Sequence, residues 1–408
     1  MRYIRIILTT ITLMIAAISV QASDKVIKFY LDADRTNHAQ SAISIERGIL
    51  TALDEVDNQV AGYKVEVVPL DHRGNVLRSK KNYQKFLADP KALAVFPGIH
   101  SPPLIINRDF INGNKALTMV AWAAGGPVTR HPSAENWVFR VSVDDTRAGG
   151  RIVDHAIDVK KCTSPHLLLE STPWGDSNLK SMTKRLAERG IYTFSTNRFG
   201  MSLKNVGSDI LLKKVLRNNS DCILLVANAI EGAYIASAMQ TLEAEKRIPI
   251  ISHWGITGGK FIELLDDKAG SNIDLSFIQT CFSFNQNNLN PFQKAVLTRA
   301  INLFDDIQQA RDITAPVGFI HGYDATRILL GAVKQAGLTG NIEQDRNAVR
   351  LALENLQQPI PGLVKTYTQP FGQFDPKTNT NAHEALGPEE YCMARYNKQG
   401  DIILDSGR

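Results

Sequence analysis

His166-Leu-Leu-Leu-Glu-Ser-Thr-Pro-Trp-Gly-Asp176 carries an apolar run into a Pro- and Gly-containing turn and then into a stretch of helical spacing. A short run bounded by turn residues reads as a strand buried on both faces, and a helix is predicted from Asp176 to Arg189. The alternation continues on both sides. Helix Thr146–Val159 comes before it, and strand Tyr192–Thr196, helix Ser208–Arg217, strand Cys222–Ala227, helix Glu231–Glu243 and strand Pro249–His253 come after. Strands separated by helices form parallel βαβ units.

A second unit of the same kind precedes this one. Val26–Leu31, Tyr63–Leu70, Ala92–Pro97, Leu117–Ala121 and Trp137–Val141 read as strands. Between the first two, Ala42, Ile45, Ile49, Leu53 and Val56 recur at helical spacing. The fold class expected is α/β, with two doubly wound parallel-sheet lobes. After Leu275–Phe284, helices are predicted at Asn290–Gln309, Tyr323–Ala336 and Asp345–Asn355. The tail from Pro359 is rich in Pro, Gly and Asn, with short strands at Tyr391–Tyr396 and Asp401–Leu404.

Trp122, Trp174 and Trp254 each stand where an apolar run gives way to glycines and polar residues. Open parallel sheets bind ligands beyond the carboxyl ends of their strands, so three indoles at such ends suggest the walls of a pocket. Ser101, at a Gly-containing turn that opens a helix, suits an anion such as a carboxylate through its hydroxyl and the nearby backbone N–H groups. The same residue also reads as a helix N-cap. Asn228 can hydrogen-bond a ligand, and Glu231 stands in a first helical turn, where it favours the helix dipole. His100 and His253 each follow an apolar strand. Asp32 and Asp34 read as solvated loop acids.

The N-terminus combines a short basic stretch, Met1–Arg5, an apolar segment from Ile6 to Val20, and small residues at Val20-Gln-Ala22. This is the pattern of a secretory signal peptide over residues 1–22, cleaved after Ala22, and it points to the periplasm. A formal charge of +5, part of it from Arg2 and Arg5 of the leader, and no basic run with interleaved aromatics argue against nucleic acid. In an exported chain Cys162, Cys222, Cys281 and Cys392 can form disulfides. Cys162 and Cys222 each sit just before a predicted strand, at the same end of neighbouring strands. Pairing Cys162 with Cys222 leaves Cys281 with Cys392.

Signals for catalysis fail. Trp254-Gly-Ile-Thr-Gly-Gly-Lys260-Phe261 lacks the P-loop spacing and has Phe261 where Ser or Thr is needed. Gly175-Asp-Ser177-Asn-Leu179 lacks the second glycine of a nucleophile elbow. The histidines are scattered, so no metal site and no cofactor are expected, and the chain does not read as an enzyme.

Several stretches, in their order and spacing, resemble one known family. They are Ala42-Ile-Ser-Ile-Glu-Arg-Gly-Ile-Leu-Thr-Ala-Leu53, Asp71, Phe96-Pro-Gly-Ile-His-Ser101, Phe139-Arg-Val-Ser-Val-Asp-Asp145, Trp174-Gly175 and Gly322-Tyr-Asp-Ala-Thr-Arg327. Across essentially the whole mature chain the sequence resembles the type I periplasmic binding proteins. Within these it is similar to the branched-chain amino acid and amide-binding (Leu/Ile/Val-binding-like) group of ABC transporter substrate-binding proteins. The resemblance implies two lobes joined by three crossovers, lobe one being 24–143 and 284–359 and lobe two 144–283 and 360–408.

It also implies a monomeric exported receptor that captures a small organic ligand between the lobes and delivers it to the membrane permease of an ABC importer. The alternative it allows is the ligand-binding component of a membrane sensor-kinase system. By position, Ser101 and its neighbour His100 match the loop that holds a ligand carboxylate, and Ala121, Trp122 and Ala123 match the second contact strand. Trp174 matches the lobe-two aromatic, and Asn228 and Trp254 fall near the remaining contacts. Where amino-acid binders place an acid for the ammonium group, this chain has Trp254 flanked by His253. A buried ammonium without a countercharge is costly, so Glu231 or a first-loop Asp would have to substitute. Aromatic walls suit a flat acid, an amide or a cationic headgroup better than an ordinary amino acid.

Overall fold

The structure, a computed structural model, describes residues 25–265 and 273–405. The expected leader, residues 1–22, lies outside the described residues. Among those described, no helix is long and apolar enough to cross a membrane.

The chain first builds β1 (Val26–Ala33), α1 (Ala39–Asp54), β2 (Gln59–Val60), β3 (Tyr63–Asp71), α2 (Val76–Ala88), β4 (Ala92–Pro97), α3 (Ser101–Gly113), β5 (Thr118–Val120) and β6 (Val138–Arg140). The strands form one sheet in the order β2-β3-β1-β4-β5-β6, parallel except at the β2–β3 edge. It then crosses to a second unit: α4 (Asp145–Asp158), β7 (Pro165–Glu170), α5 (Pro173–Glu188), β8 (Ser195–Phe199), α6 (Asn205–Arg217), β9 (Cys222–Val226), α7 (Ala229–Gln240), β10 (Ile250–Ser252), the one-turn α8 (Phe261–Leu264) and β11 (Leu275–Thr280). Helices α9 (Pro291–Leu303), α10 (Pro316–Ala336) and α11 (Ile342–Glu354) and the hairpin β12 (Ile360–Pro361) and β13 (Thr366–Tyr367) return to the first sheet. The last strands, β14 (Tyr391–Tyr396) and β15 (Ile402–Leu404), complete the second. Its order is β15-β14-β11-β10-β9-β7-β8. The expected two-lobed α/β architecture is the one observed.

Burial explains the strands. Every residue of β7 and of β9 is buried, as central parallel strands covered by helices on both faces require. Helix α1 buries Ala42, Ile45, Ile49 and Leu53, four of the five positions read from its period, and packs on α10; the fifth, Val56, lies past the helix end and is exposed. The two helices approach closely because each offers a glycine. A Cβ on Gly48 would lie 2.2 Å from the Phe319 carbonyl oxygen, and one on Gly322 2.6 Å from that of Ile45.

Three differences from the sequence reading have physical causes. β8 starts three residues later than expected: Tyr192 is exposed, and pairing with β7, not an apolar run, sets this edge strand. Helix α10 starts at Pro316, well before Tyr323, because a proline there occupies the first helical turn, where no N–H is missed. The tail also crosses over later than Ile360. Asp324 on α10 accepts hydrogen bonds from the N–H groups of Leu363 (2.6 Å) and Val364 (3.1 Å) and from the Tyr367 hydroxyl (2.8 Å). Beside β6, Arg140 N–H donates to the His383 carbonyl and Ala385 N–H to that of Arg140. Residues 360–385 therefore pack on the first sheet's side, and the chain passes over only before Tyr391.

Where the chain leaves β6, Arg140 is fully buried. Its guanidinium donates to Glu384 (2.6 and 2.8 Å), to Asp144 (2.9 Å) and to the carbonyls of Ala123 (3.2 Å) and Gly125 (2.9 Å). Arg130 binds the other oxygen of Asp144 at 2.7 Å.

Cys162–Cys222 and Cys281–Cys392 are disulfide-bonded. The first joins neighbours β7 and β9, in which Pro165 lies opposite Cys222. Thiol titration of the unreduced, denatured protein should find no free cysteine, and two or more would contradict the pairing. Arg140→Met should lower stability by about 3–5 kcal/mol in chemical denaturation, because only Arg130, at the edge of the cluster, would be left to balance the buried Asp144 and Glu384.

Candidate ligand-binding site

The carboxyl ends of the two sheets meet at one cavity. From the first sheet, the turn after β4 supplies Ile99 and His100, α3 opens with Ser101 and Pro102, and the segment after β5 supplies Trp122 and Ala124. From the second, Glu170 ends β7, Trp174 lies in the first turn of α5, Asn228 precedes α7, and Trp254 and Gly255 follow β10. The space left among them is about 10 Å³, room for one water at most. The lobes are closed on each other.

The tryptophans close it. Trp122 and Trp254 meet across the lobes with ring centroids 6.1 Å apart. Trp174 packs edge-on against His253 at 5.1 Å. Gly255 allows this packing, since a Cβ there would lie 2.8 Å from Cη2 of Trp174 and 2.5 Å from the Ala227 carbonyl oxygen. The indole N–H groups of Trp122 and Trp174 are buried with no acceptor. Each such orphaned donor costs about 1–3 kcal/mol.

Ser101 is not the N-cap expected. His100 takes that position, and Ser101 is the first residue of α3, followed by Pro102 and Pro103. Two prolines remove N–H donors from the helix start, so it offers an anion less backbone than the sequence reading assumed. The Ser101 hydroxyl oxygen accepts the Gly125 N–H at 3.0 Å and keeps its own hydrogen to donate.

His100, Ser101, Trp122, Trp174, Asn228 and Trp254 thus line the cavity. The other four candidates stand behind it. Ala121 and Ala123 are fully buried in separate apolar clusters. His253, also fully buried, pairs with Asp145 at 2.8 Å and backs Trp174. Glu231 is buried in the first turn of α7.

Glu170 was missed. It accepts hydrogen bonds from the Thr172 hydroxyl (3.0 Å) and the Asn228 amide (3.1 Å), and burial pushes its carboxyl up against the pull of His100, Thr172 and Asn228. Its signal was a lone acid closing the run Leu167-Leu168-Leu169. Trp254 follows β10, and the buried acid of the cavity ends β7, two strands along the sheet.

Asp32 and Asp34 are not solvated loop acids, since both are buried. Asp32 ends inside β1, bonded to Ser79 (2.6 Å) and Asn82 (2.7 Å), and burial pushes its carboxyl up to about 7. Asp34 faces His100 at 3.2 Å. Burial works against its charge, yet hydrogen bonds from His100 and Asn37 hold it below the usual carboxylate range.

Comparison with known proteins agrees with this geometry. A family model described as periplasmic binding protein matches residues 30–387. Among solved structures, a type 1 periplasmic binding protein from Bordetella pertussis Tohama I is 17% identical, covers 93% of this chain and 99% of its own, and superposes with a TM-score of 0.76. A leucine-binding protein from Thermotoga maritima is 17% identical, with coverage of 93% and 98% and a TM-score of 0.73. An ABC transporter solute-binding protein from Rhodopseudomonas palustris, solved with benzoate, is 14% identical, with coverage of 93% and 95% and a TM-score of 0.74. A comparison with curated proteins found no match. At these identities the structures establish the fold, and the family match over most of the chain establishes the kinship. The chain belongs to the periplasmic binding protein family.

Proposed function

We propose that this protein is a periplasmic solute receptor that closes its lobes on a small flat organic acid and presents it to the permease of an ABC importer. The observation that carries this reading is the inter-lobe cavity walled by Trp122, Trp174 and Trp254, two of whose indole N–H groups are buried without an acceptor. A carboxylate is the acceptor such donors lack, with the Ser101 hydroxyl as a third. A planar ring fits between indoles, taking the place of the direct Trp122–Trp254 contact. At the far end Glu170, already positioned by Thr172 and Asn228, accepts a hydroxyl or amine hydrogen of the ligand. The ligand class is therefore a flat acid with a donor opposite its carboxylate. That the benzoate-bound relative shares this fold is in keeping with the class.

With about 10 Å³ between the walls, a ligand of benzoate size enters only after the lobes part. Contacts to both lobes then favour closure, which is the state a permease would read. The carboxylates behind the wall add a pH dependence. Burial, with the neighbouring Glu170 charge, pushes the Glu231 carboxyl from 4.5 up to about 7. The folded form holds that proton where the unfolded chain has released it, so its contribution to stability is present below pH 4.5 and lost as pH rises toward 7.

Calorimetry and tryptophan fluorescence with benzoate, 4-hydroxybenzoate and leucine should show micromolar binding of an aromatic acid and none of leucine. Trp174→Ala should lose the aromatic acid at least tenfold while keeping its circular dichroism spectrum. Normal binding by Trp174→Ala, or preference for leucine, would overturn the assignment. Separately, Glu231→Gln should stabilise the protein at pH 8 by about 3 kcal/mol and leave it unchanged at pH 4, in paired urea melts.

A further inference from the structure

Asp34, His38 and His100 each bring a donor atom to within 4.8 Å of the others, and all three residues are buried. They converge at the carboxyl edge of the first sheet from separate elements. Asp34 follows β1, His38 is the N-cap of α1, and His100 is the N-cap of α3. Oδ2 of Asp34 and Nε2 of His100 are 3.2 Å apart. Two ligands about 2.1 Å from one tetrahedral ion stand about 3.4 Å apart, so this pair already has the spacing of co-ligands. The His38 ring is edge-on to that of His100, with centroids 4.7 Å apart.

The surroundings hold the donors in place. Oδ1 of Asp34 accepts the N–H groups of Thr36 (3.2 Å) and Asn37 (2.8 Å), which aims Oδ2 at the histidines. His72 is also near, its ring 5.9 Å from that of His100. Its Nδ1 accepts the Gly74 N–H at 3.0 Å, which leaves Nε2 carrying the hydrogen and His72 outside the ligand set. The His100–Asp34 hydrogen bond accounts for two of the three groups. It does not account for His38, whose side chain makes no capping bond to its helix.

We propose that Asp34, His38 and His100 form a binding site for a divalent transition-metal ion of the zinc or copper class. Two imidazoles and one carboxylate are the donors such ions take, whereas magnesium and calcium prefer oxygen throughout. Three protein ligands leave a fourth position for water or an anion. His100 lines the inter-lobe cavity, and His38 lines a second cavity bordered by Gln40, Ala229 and Lys260, so the ion sits at the margin of the cleft. All three donors belong to the first-sheet unit. The ligand set itself therefore needs no donor from the second lobe, although His100 and His38 both face cavities that the second lobe helps to wall.

The test is equilibrium dialysis of untagged, disulfide-intact protein against Zn²⁺ and, separately, Cu²⁺, with elemental analysis of the retained ion. Wild type should hold one ion per chain. His38→Asn removes an imidazole, and Asp34→Asn keeps the Oδ1 acceptor while removing the charge; each should weaken binding at least tenfold. Electron paramagnetic resonance of the Cu²⁺ form should show two coupled nitrogens in wild type and one in His38→Asn. No stoichiometric binding of either ion, or binding that both variants retain, would overturn the site. If neither variant folds, the nitrogen count in wild type decides alone. The readout is the metal itself, so failure here leaves the solute assignment standing.

Discussion

The arrangement of the two lobes depends on one buried cation. Taking the Arg140 guanidinium out of water costs several kcal/mol, and the cost is offset only because two carboxylates and two carbonyls surround it. Those partners come from distant parts of the chain. Asp144 stands where the chain leaves the first sheet, and Glu384 where the tail is about to leave it again. One charged group therefore fixes two of the passages between lobes relative to β6. Hydrophobic packing alone would not register them so sharply, since apolar contacts are not directional.

From this anchor the constraint reaches the cleft in a few steps. The Asp144 N–H donates to the Tyr391 hydroxyl, tying the first passage to β14 of the second sheet. The next residue, Asp145, pairs with His253, and the His253 ring backs Trp174. The first passage between the sheets and one wall of the cavity are thus separated by two side chains. Any displacement of Asp144 relative to the second sheet would be felt in the support of Trp174. His253 matters here as a brace rather than as a ligand contact.

The fold was legible because its signals are local. The strand at His166–Glu170 and the helix carrying Ala42, Ile45 and Ile49 declare themselves through period and burial alone. The three tryptophans were legible for a related reason: in a parallel sheet the position after a strand is a place in space, not only in sequence. What stayed hidden depends on pairs far apart in the chain. Asp34 and His100 look like unrelated polar residues until β1 and β4 pair. Arg140 reads as one more strand residue until Glu384 arrives. Glu170 closes a run of three leucines, and a lone acid there carries no mark of a cleft until β7, β9 and β10 line up side by side.

The two prolines after Ser101 reach further than the geometry of a helix start. A helix that opens with free N–H groups attracts any small anion, mineral or organic, because its field does not distinguish them. By removing two of those donors, Pro102 and Pro103 weaken that general pull at the cleft. On the function proposed above, recognition would then rest on indoles and a hydroxyl, whose hold depends on the shape of the guest. Chloride and sulfate, with no flat face to offer, would gain little from such walls, and the absence of two hydrogen atoms would favour a flat solute over a simple salt.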